Sequence, residues 1–260
     1  MNRPPDKLVG ALMAGLKILR YLNQLRGPVG VSQVARELSL NPSTAYNLLR
    51  TLVHERLVVF DPAGKTYAPG PGLVDLIGGG LERSAEFRLI RPHLRRLADD
   101  HAVTALLWHR GEDDRMVLID LAETAEAVRV HMAIGQRLPP YGGSLGRCLA
   151  AHEGLSKAAL KRRFGKLRWQ SAPGFEDYYR QVRQARQDGY AVDSGNFTLG
   201  VTTVSALVLG SAGQAVMAIS GVGFSAALTG DALHGLAVDI RERAAEASRA
   251  LGGSALGVAS

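Results

Sequence analysis

The chain has 260 residues, 46% hydrophobic and 21% charged, the balance of a globular protein with room for one large domain or two ordinary ones. Its formal charge of +7 permits a polyanionic partner, and residues 1–75 hold 9 Lys/Arg against 5 Asp/Glu while residues 76–260 hold 22 against 19. No apolar run approaches a membrane span, the opening MNRPPDKL lacks the apolar core of a secretory signal, and the lone Cys148 excludes an internal disulfide and a cysteine-built zinc site. The expectation is a cytoplasmic protein with no membrane partner.

Leu8, Leu12, Leu16, Leu19 and Leu22 recur at helical spacing and predict an amphipathic first helix, ended by Gly27-Pro28-Val29-Gly30. Ser32 fits an N-cap for a second helix with Val34, Ala35 and Leu38 inward. After a short turn, Asn41 caps a third helix and Pro42 takes its first position, where the missing N–H is not needed. Ala45, Leu48, Leu49 and Leu52 form its inner face, and Ser43, Thr44, Tyr46, Asn47 and Arg50 its outer one. Leu57–Phe60 and Thr66–Ala68 flank the turn-forming Asp61-Pro-Ala-Gly-Lys65 and predict a hairpin. This order is a winged helix-turn-helix, whose third helix enters the major groove with its N-terminal residues at base edges. Hydroxyl and amide groups at 43, 44 and 47 both donate and accept, as base reading requires. The candidate DNA contacts are Ser32, Gln33, Ser43, Thr44, Tyr46, Asn47 and Arg50, with Arg50, Lys65 and Lys17 placed for phosphates.

Gly70-Pro71-Gly72 marks a boundary. A linker helix is expected from Leu73, with a joint at Gly78–Gly80 and a resumption through Phe87. RLIRPHLRRLADDH predicts the next helix, with Leu89, Leu94 and Leu97 inward. Strands are expected at Val103–His109, Met116–Leu121 and Val128–Ile134. A long helical stretch covers Leu145 to about Asp188, strands follow at Thr202–Leu209 and Gln214–Val222, and a last helix runs from about Asp231 to Leu251. Antiparallel strands with helices at one face give an α+β sensor fold of the GAF/PAS type. The domains are then a winged helix-turn-helix at 1–69, a linker helix at 70–87, a ligand-sensing domain at 88–254 and a tail at 255–260.

Two motifs imitate enzymes. Gly142-Gly143-Ser144-Leu145-Gly146 reads as the G-x-S-x-G elbow of serine hydrolases, but the elbow needs a buried strand running into the serine. Pro139 and Pro140 precede it here, and two prolines do not sit in a central strand. The alternative use is non-covalent: free backbone N–H groups at a helix start near Leu145 hold a carboxylate, and the glycines let it approach. Gly221-Val-Gly223-Phe-Ser-Ala226 imitates a dinucleotide-binding loop, but no later strand closes the β-α-β unit, so a turn is expected. The histidines at 93, 101, 109, 131 and 152 lack ligand spacing, with His101 and His109 read as surface residues. No metal and no cofactor are expected.

In order and spacing, STAYNLLRTL, YAPGPGLVDL, the helix Ile90–Leu97, Thr104, IGQRLPPYGGSLGRCLAA, GYAVD at 189–193, GVTTVSA at 200–206 and VMAIS at 216–220 resemble the IclR family of bacterial transcription regulators. The resemblance covers nearly the whole chain. It implies a ligand-responsive regulator of a catabolic operon, not an enzyme, bound to a pseudopalindromic duplex DNA operator as a homodimer or a dimer of dimers (a homotetramer). It implies a small organic acid, often aromatic, as effector. The effector-binding residues it points to are Gly143, Ser144 and Leu145 at the helix start, Asp193, Val201, Thr203 and Ser220, with Met132 and Leu138 as an apolar wall. Asp193 as an ionised carboxylate would repel an acid, so it either accepts from a ligand hydroxyl or caps a turn. Thr203 stands where the family commonly has Cys, Arg147 where it usually has Lys, and Asn47 where many members have Arg. An Arg147 that only faces solvent makes the second of these a small change. A serine hydrolase using Ser144 and a winged-helix protein-interaction adaptor are the other two readings.

Overall fold

The computed structural model describes residues 9–25, 27–73, 76, 85–111 and 115–253, which divide into two units at Ser84 and Ala85. In the first, helix α1 (Gly10–Gln24) buries Gly15, Ile18 and Leu22. Of the leucine stripe, Leu19 and Leu22 pack on the core, while Leu12 is 63% exposed and Leu16 45%, beside exposed Val9 and Met13. Steps of four residues drift around a helix of 3.6 residues per turn, and carry Leu12 and Leu16 off the face that meets the core. Val29–Gly30 forms a short strand, β1, and Gly30 is the N-cap of α2 (Val31–Glu37). Ser32 therefore lies inside the first turn and does not cap it.

Helix α3 (Pro42–His54) starts as its sequence dictates. The Asn41 side chain accepts from the Ser43 N–H at 3.0 Å, and Pro42 occupies the first turn. Ala45 and Leu49 are fully buried, with Leu48 and Leu52 half-buried at the edge of a core built on Ile18, Leu22, Val34, Val58 and Tyr67. Strands β2 (Val58–Asp61) and β3 (Thr66–Pro69) form the hairpin, and β1 joins it to give the order β1-β3-β2. The Asp61 carboxylate closes the turn by accepting from the Ala63 and Gly64 N–H groups. Residues 72, 73 and 76 are helical. The Gly78–Gly80 joint and the tail at 255–260 lie outside the described residues.

The second unit opens with α4 (Ala85–His101), which buries Ile90, Leu94 and Leu97 while Leu89 is half-exposed. A six-stranded antiparallel sheet follows, β4 (Thr104–Arg110), β5 (Met116–Ala122), β6 (Arg137–Leu138), β7 (Ala191–Ser194), β8 (Val201–Leu209) and β9 (Ala215–Phe224), in the order β6-β5-β4-β9-β8-β7. The expected strand at 128–134 is irregular chain instead. Its apolar residues Val128 and Ile134 are mostly exposed, and the segment is tied down where Thr104 Oγ1 donates to the Val130 carbonyl at 2.7 Å. The long helical stretch is three helices, α5 (Gly143–Glu153), α6 (Lys157–Phe164) and α7 (Phe175–Asp188), interrupted at Gly154, whose φ of +61° ends α5, and at the Ser156 N-cap of α6. The last helix, α8 (Gly230–Ala250), is followed by Leu251.

Helices cover both faces of this sheet, not one. Strands β4, β8 and β9 are therefore buried almost throughout. The face carrying Thr203 and Ser205 meets α5, where Ser144 bonds both hydroxyls. The opposite face meets α8. Gly221 and Gly223 lie inside β9 rather than in a turn, and a Cβ on Gly221 would stand 3.0 Å from Ile240 Cδ1 and 3.1 Å from Leu236 Cδ1. Gly221 lets α8 lie close on the strand, and Gly223 makes room for Leu228.

Candidate functional site

Two surfaces carry chemistry, one in each unit. On the first, Ser43, Thr44, Tyr46, Asn47 and Arg50 all stand exposed on the outer side of α3. Ser43 Oγ donates to Asn41 Oδ1 at 2.9 Å, which fixes its rotamer, and the Arg50 guanidinium lies 5.9 Å from the centroid of the Tyr46 ring. Ser32 and Gln33 are exposed in the first turn of α2, and Gln33 Nε2 donates to Tyr21 Oη at 3.3 Å. Lys65 follows the hairpin tip and Lys17 stands exposed on α1.

The second surface is a cavity of about 250 Å³ between the sheet, the start of α5 and the irregular segment before β6. Met132, Leu138, Gly143, Ser144, Leu145, Asp193, Val201, Thr203 and Ser220 all line it, so residues up to 88 positions apart in sequence converge on one space. Leu106, Trp108, Val222 and Phe197 complete an apolar wall. In its lining the hydroxyls of Thr203, Ser144, Ser205 and Ser220 form a chain with links of 2.8, 2.7 and 2.7 Å. Four O–H protons serve three links, which leaves one proton to donate elsewhere. The N–H groups of Gly143, Ser144 and Leu145 open α5, whose first backbone bond within the helix is Gly146 N–H to the Gly142 carbonyl at 2.9 Å. They carry the positive end of the helix dipole.

The irregular turn before α5 is held from three sides. Tyr141 adopts φ +71°, a region that non-glycine residues seldom enter. Its carbonyl accepts from Tyr178 Oη at 2.6 Å, its own hydroxyl donates to Glu153 Oε2 at 2.7 Å, and Arg163 Nη1 donates to that hydroxyl. Burial pushes the Tyr178 phenol above its usual range, so it stays a protonated donor. Ser144 has hydroxyl partners and no imidazole among the described residues, which is not the arrangement of an activated nucleophile.

A helix-turn-helix of the IclR type matches residues 11–62, and the description "Bacterial transcriptional regulator IclR C-terminal" matches residues 81–249. The chain belongs to the IclR family. Among curated relatives, the HTH-type transcriptional repressor AllR of Escherichia coli K12 is 27% identical over 93% of this chain and 90% of its own length, and that of Salmonella typhimurium is 26% identical over the same shares. Among solved structures, the IclR regulator of Alicyclobacillus acidocaldarius aligns with a TM-score of 0.80 at 26% identity, over 95% of this chain and all of that one. An IclR homologue from Microbacterium hydrocarbonoxydans, complexed with 4-hydroxybenzoate, aligns with a TM-score of 0.68 at 22% identity, over 93% of this chain and all of that one. This IclR-family chain is thus a transcriptional regulator and not an enzyme, with a DNA-binding helix-turn-helix and an effector-binding C-terminal domain.

Within that effector domain, Arg147 is not the solvent-facing residue considered above. It is fully buried and donates to Asp193 Oδ2 at 2.6 Å, to Gln181 Oε1 at 2.7 Å and to Asn196 Oδ1 at 3.1 Å. Its guanidinium also lies 5.3 Å from the Tyr178 ring centroid and 5.6 Å from that of Trp169. Asp193 Oδ1 accepts from the Asn196 and Phe197 N–H groups at 3.1 and 3.0 Å. Of the two uses open to Asp193, the turn cap is therefore the one the geometry contains, and Arg147 neutralises its charge. Gly142 faces Phe197, where a Cβ would come within 2.8 Å of Cε2.

Sequence reasoning missed Ser205, Leu106, Trp108 and Phe197. Strand alternation from Thr203 would have found Ser205 two positions on; nothing local marks Phe197. His101 is part-buried against Asp239 at 3.0 Å rather than on the surface, while His109 is exposed. Among the described residues no histidine, cysteine or carboxylate cluster could hold a metal, and no helix is long and apolar enough to cross a membrane.

Proposed function

We propose that the cavity is the effector site and that its ligand is a small organic acid. The observation that carries this reading is the polarity of the space. An apolar body has Leu106, Met132, Leu138 and Val201 to pack on, and a carboxylate has the helix-start N–H groups and the hydroxyls of Ser144, Thr203 and Ser220 in the same space. Asp193 does not oppose an anion, because Arg147 already matches its charge. The cavity lies below the ~300–1,000 Å³ usual for drug-sized ligands, as suits a small metabolite. The 4-hydroxybenzoate held by one structural relative is an acid of that kind and the natural first probe. Replacing Ser144 and Thr203 together by Val should weaken binding of the responding acid about tenfold or more, since each lost hydrogen bond contributes ~1 kcal/mol and the relay loses two of its four hydroxyls. Unchanged affinity in a calorimetric titration would contradict the assignment.

We further propose that residues 1–69 read the operator through Ser43, Thr44, Tyr46 and Asn47, with Ser32, Gln33, Arg50, Lys65 and Lys17 against the backbone, and that residues 88–254 are the sensor, joined to them by a linker at 70–87. Asn47 pairs adenine better than guanine, so the operator should differ from those of relatives with Arg at this place. The outward Val9, Leu12, Met13 and Leu16 support association through the first unit, as a dimer or dimer of dimers on a pseudopalindromic site. Ligand acts by population shift: it must bind two conformations with different affinity, and the difference sets the change in DNA affinity. Such a protein works in the cytoplasm.

A further inference from the structure

We propose that helices α6 and α7 of the effector domain, with the chain that joins them, form a second, sequence-independent DNA-binding face, which takes duplex phosphates that the winged helix does not contact. Residues 157–188, the two helices and the chain between them, hold nine Lys/Arg against three Asp/Glu, an excess of six out of the +7 of the entire chain. The other residues, the helix-turn-helix included, sum to +1. The three acids of the segment are already used, Glu176 by Lys157 at 2.7 Å, Asp177 by Arg180 at 2.5 Å and Asp188, which accepts from Gln184 Nε2 at 2.8 Å. Arg162, Lys166, Arg168, Arg183 and Arg186 are exposed and have no carboxylate partner among the described residues.

A face that only confers solubility mixes both signs. Five cations without a carboxylate partner, Arg162 on α6, Lys166 and Arg168 in the connection after it and Arg183 and Arg186 on α7, repel one another and gain nothing from the fold itself. The two helices are one body, because Phe164 of α6 packs on Phe175 and Tyr178 of α7 with ring centroids 5.6 and 5.0 Å apart, and Lys161 lies over Phe175. Six of the nine cations are arginines, whose planar fork matches phosphate oxygens better than an ammonium does. A second copy of this chain would bring the same sign to the same surface, which disfavours self-association there. Duplex DNA, with one charge per ~1.7 Å of axis, is the polyanion that a DNA-bound regulator always has beside it.

The proposal rests on the chain binding DNA, not on the operator or effector assignments. The test uses the full chain, a labelled long duplex of unrelated sequence, and fluorescence anisotropy across a salt series. In one variant Arg162, Lys166, Arg168, Arg183 and Arg186 are all replaced by Gln; in a second, Asn47 and Arg50 are replaced by Ala. Thermal melting of both confirms folding, which surface substitutions of this kind leave intact. The first variant should lose on the order of tenfold in affinity at low salt, with the log–log salt slope shallower by about 2 to 3, since each phosphate contact contributes ~0.9. The second should keep most of this affinity and lose preference for the operator. Wild-type affinity and slope in the first variant would overturn the proposal. So would loss confined to the second variant, or intact DNA affinity in the first with lost binding to polyglutamate, which would make the face a site for acidic protein. A wild-type chain that binds neither this duplex nor the operator would contradict the DNA-binding reading as well.

Discussion

Arg147 and Asp193 decide the geometry around the cavity, and they are the best place to test it by single substitution. Both are fully buried, so removing one leaves the other's charge without solvent or counter-charge. Arg147→Met should therefore cost about 3–5 kcal/mol in urea unfolding. Arg147→Lys, the family's usual residue, keeps the charge but cannot reach Asp193, Gln181 and Asn196 in one geometry, and should lose less than Met does. The combined change of Arg147→Met and Asp193→Leu should recover much of the loss, because no charge is then left stranded. A wild-type midpoint for Arg147→Met would contradict the pairing. None of this was legible in the sequence, since the partners lie 34, 46 and 49 residues away. Cys148 is a second test at this scale. Burial pushes its thiol up to about 12, so alkylation at neutral pH should modify it only after unfolding. Fast labelling of the native protein would mean the α5–sheet interface opens.

At the scale of elements, what the sequence declares locally is what was read correctly. Asn41-Pro42 fixes the start of α3 because cap and first residue are neighbours. The leucine stripe of α1 declares an amphipathic helix but not how far its neighbour reaches, so Leu19 and Leu22 meet the core while Leu12 and Leu16 stand exposed. The 128–134 strand failed because alternating Val and Ile residues satisfy the pattern without a partner strand to bury them. Gly146 gives an element-scale prediction: a Cβ there would overlap the backbone of Tyr141. Gly146→Ala should thus lower stability sharply, by more than the gain of up to ~1 kcal/mol that Gly→Ala gives at an unstrained helix position. A melting temperature at or above wild type would show that the turn before α5 adjusts freely. The seam between α4 and α8 carries a pH dependence. Burial lowers the pKa of His93, against the opposing pull of Glu246 at 3.7 Å, and burial likewise lowers that of His152 beside α5's end. A histidine depressed in the folded state takes up its proton more readily when unfolded, so its stability contribution is complete above the unfolded pKa of ~6.5 and is lost as pH falls through the folded value. Melting should drop between pH 7 and 5, and replacing both histidines by Gln should flatten that drop; an unchanged slope would contradict it.

At the scale of the whole molecule, the two units divide the work between reading DNA and sensing a ligand. The cavity residues were found because the order of motifs along the chain resembles a family, not because any one motif is specific. The hydroxyl relay and the neutralised Asp193 needed the fold, since strand pairing and helix docking bring those side chains together. The measurement that tests the central claim most directly is binding of the full chain to labelled DNA from upstream of its own gene. It is read across a salt series with excess unrelated duplex, then repeated with 4-hydroxybenzoate and related acids. The account predicts binding that survives competitor, weakens steeply with salt and shifts when one of these acids is added. Binding no tighter than to the competitor, unmoved by every acid, would contradict it.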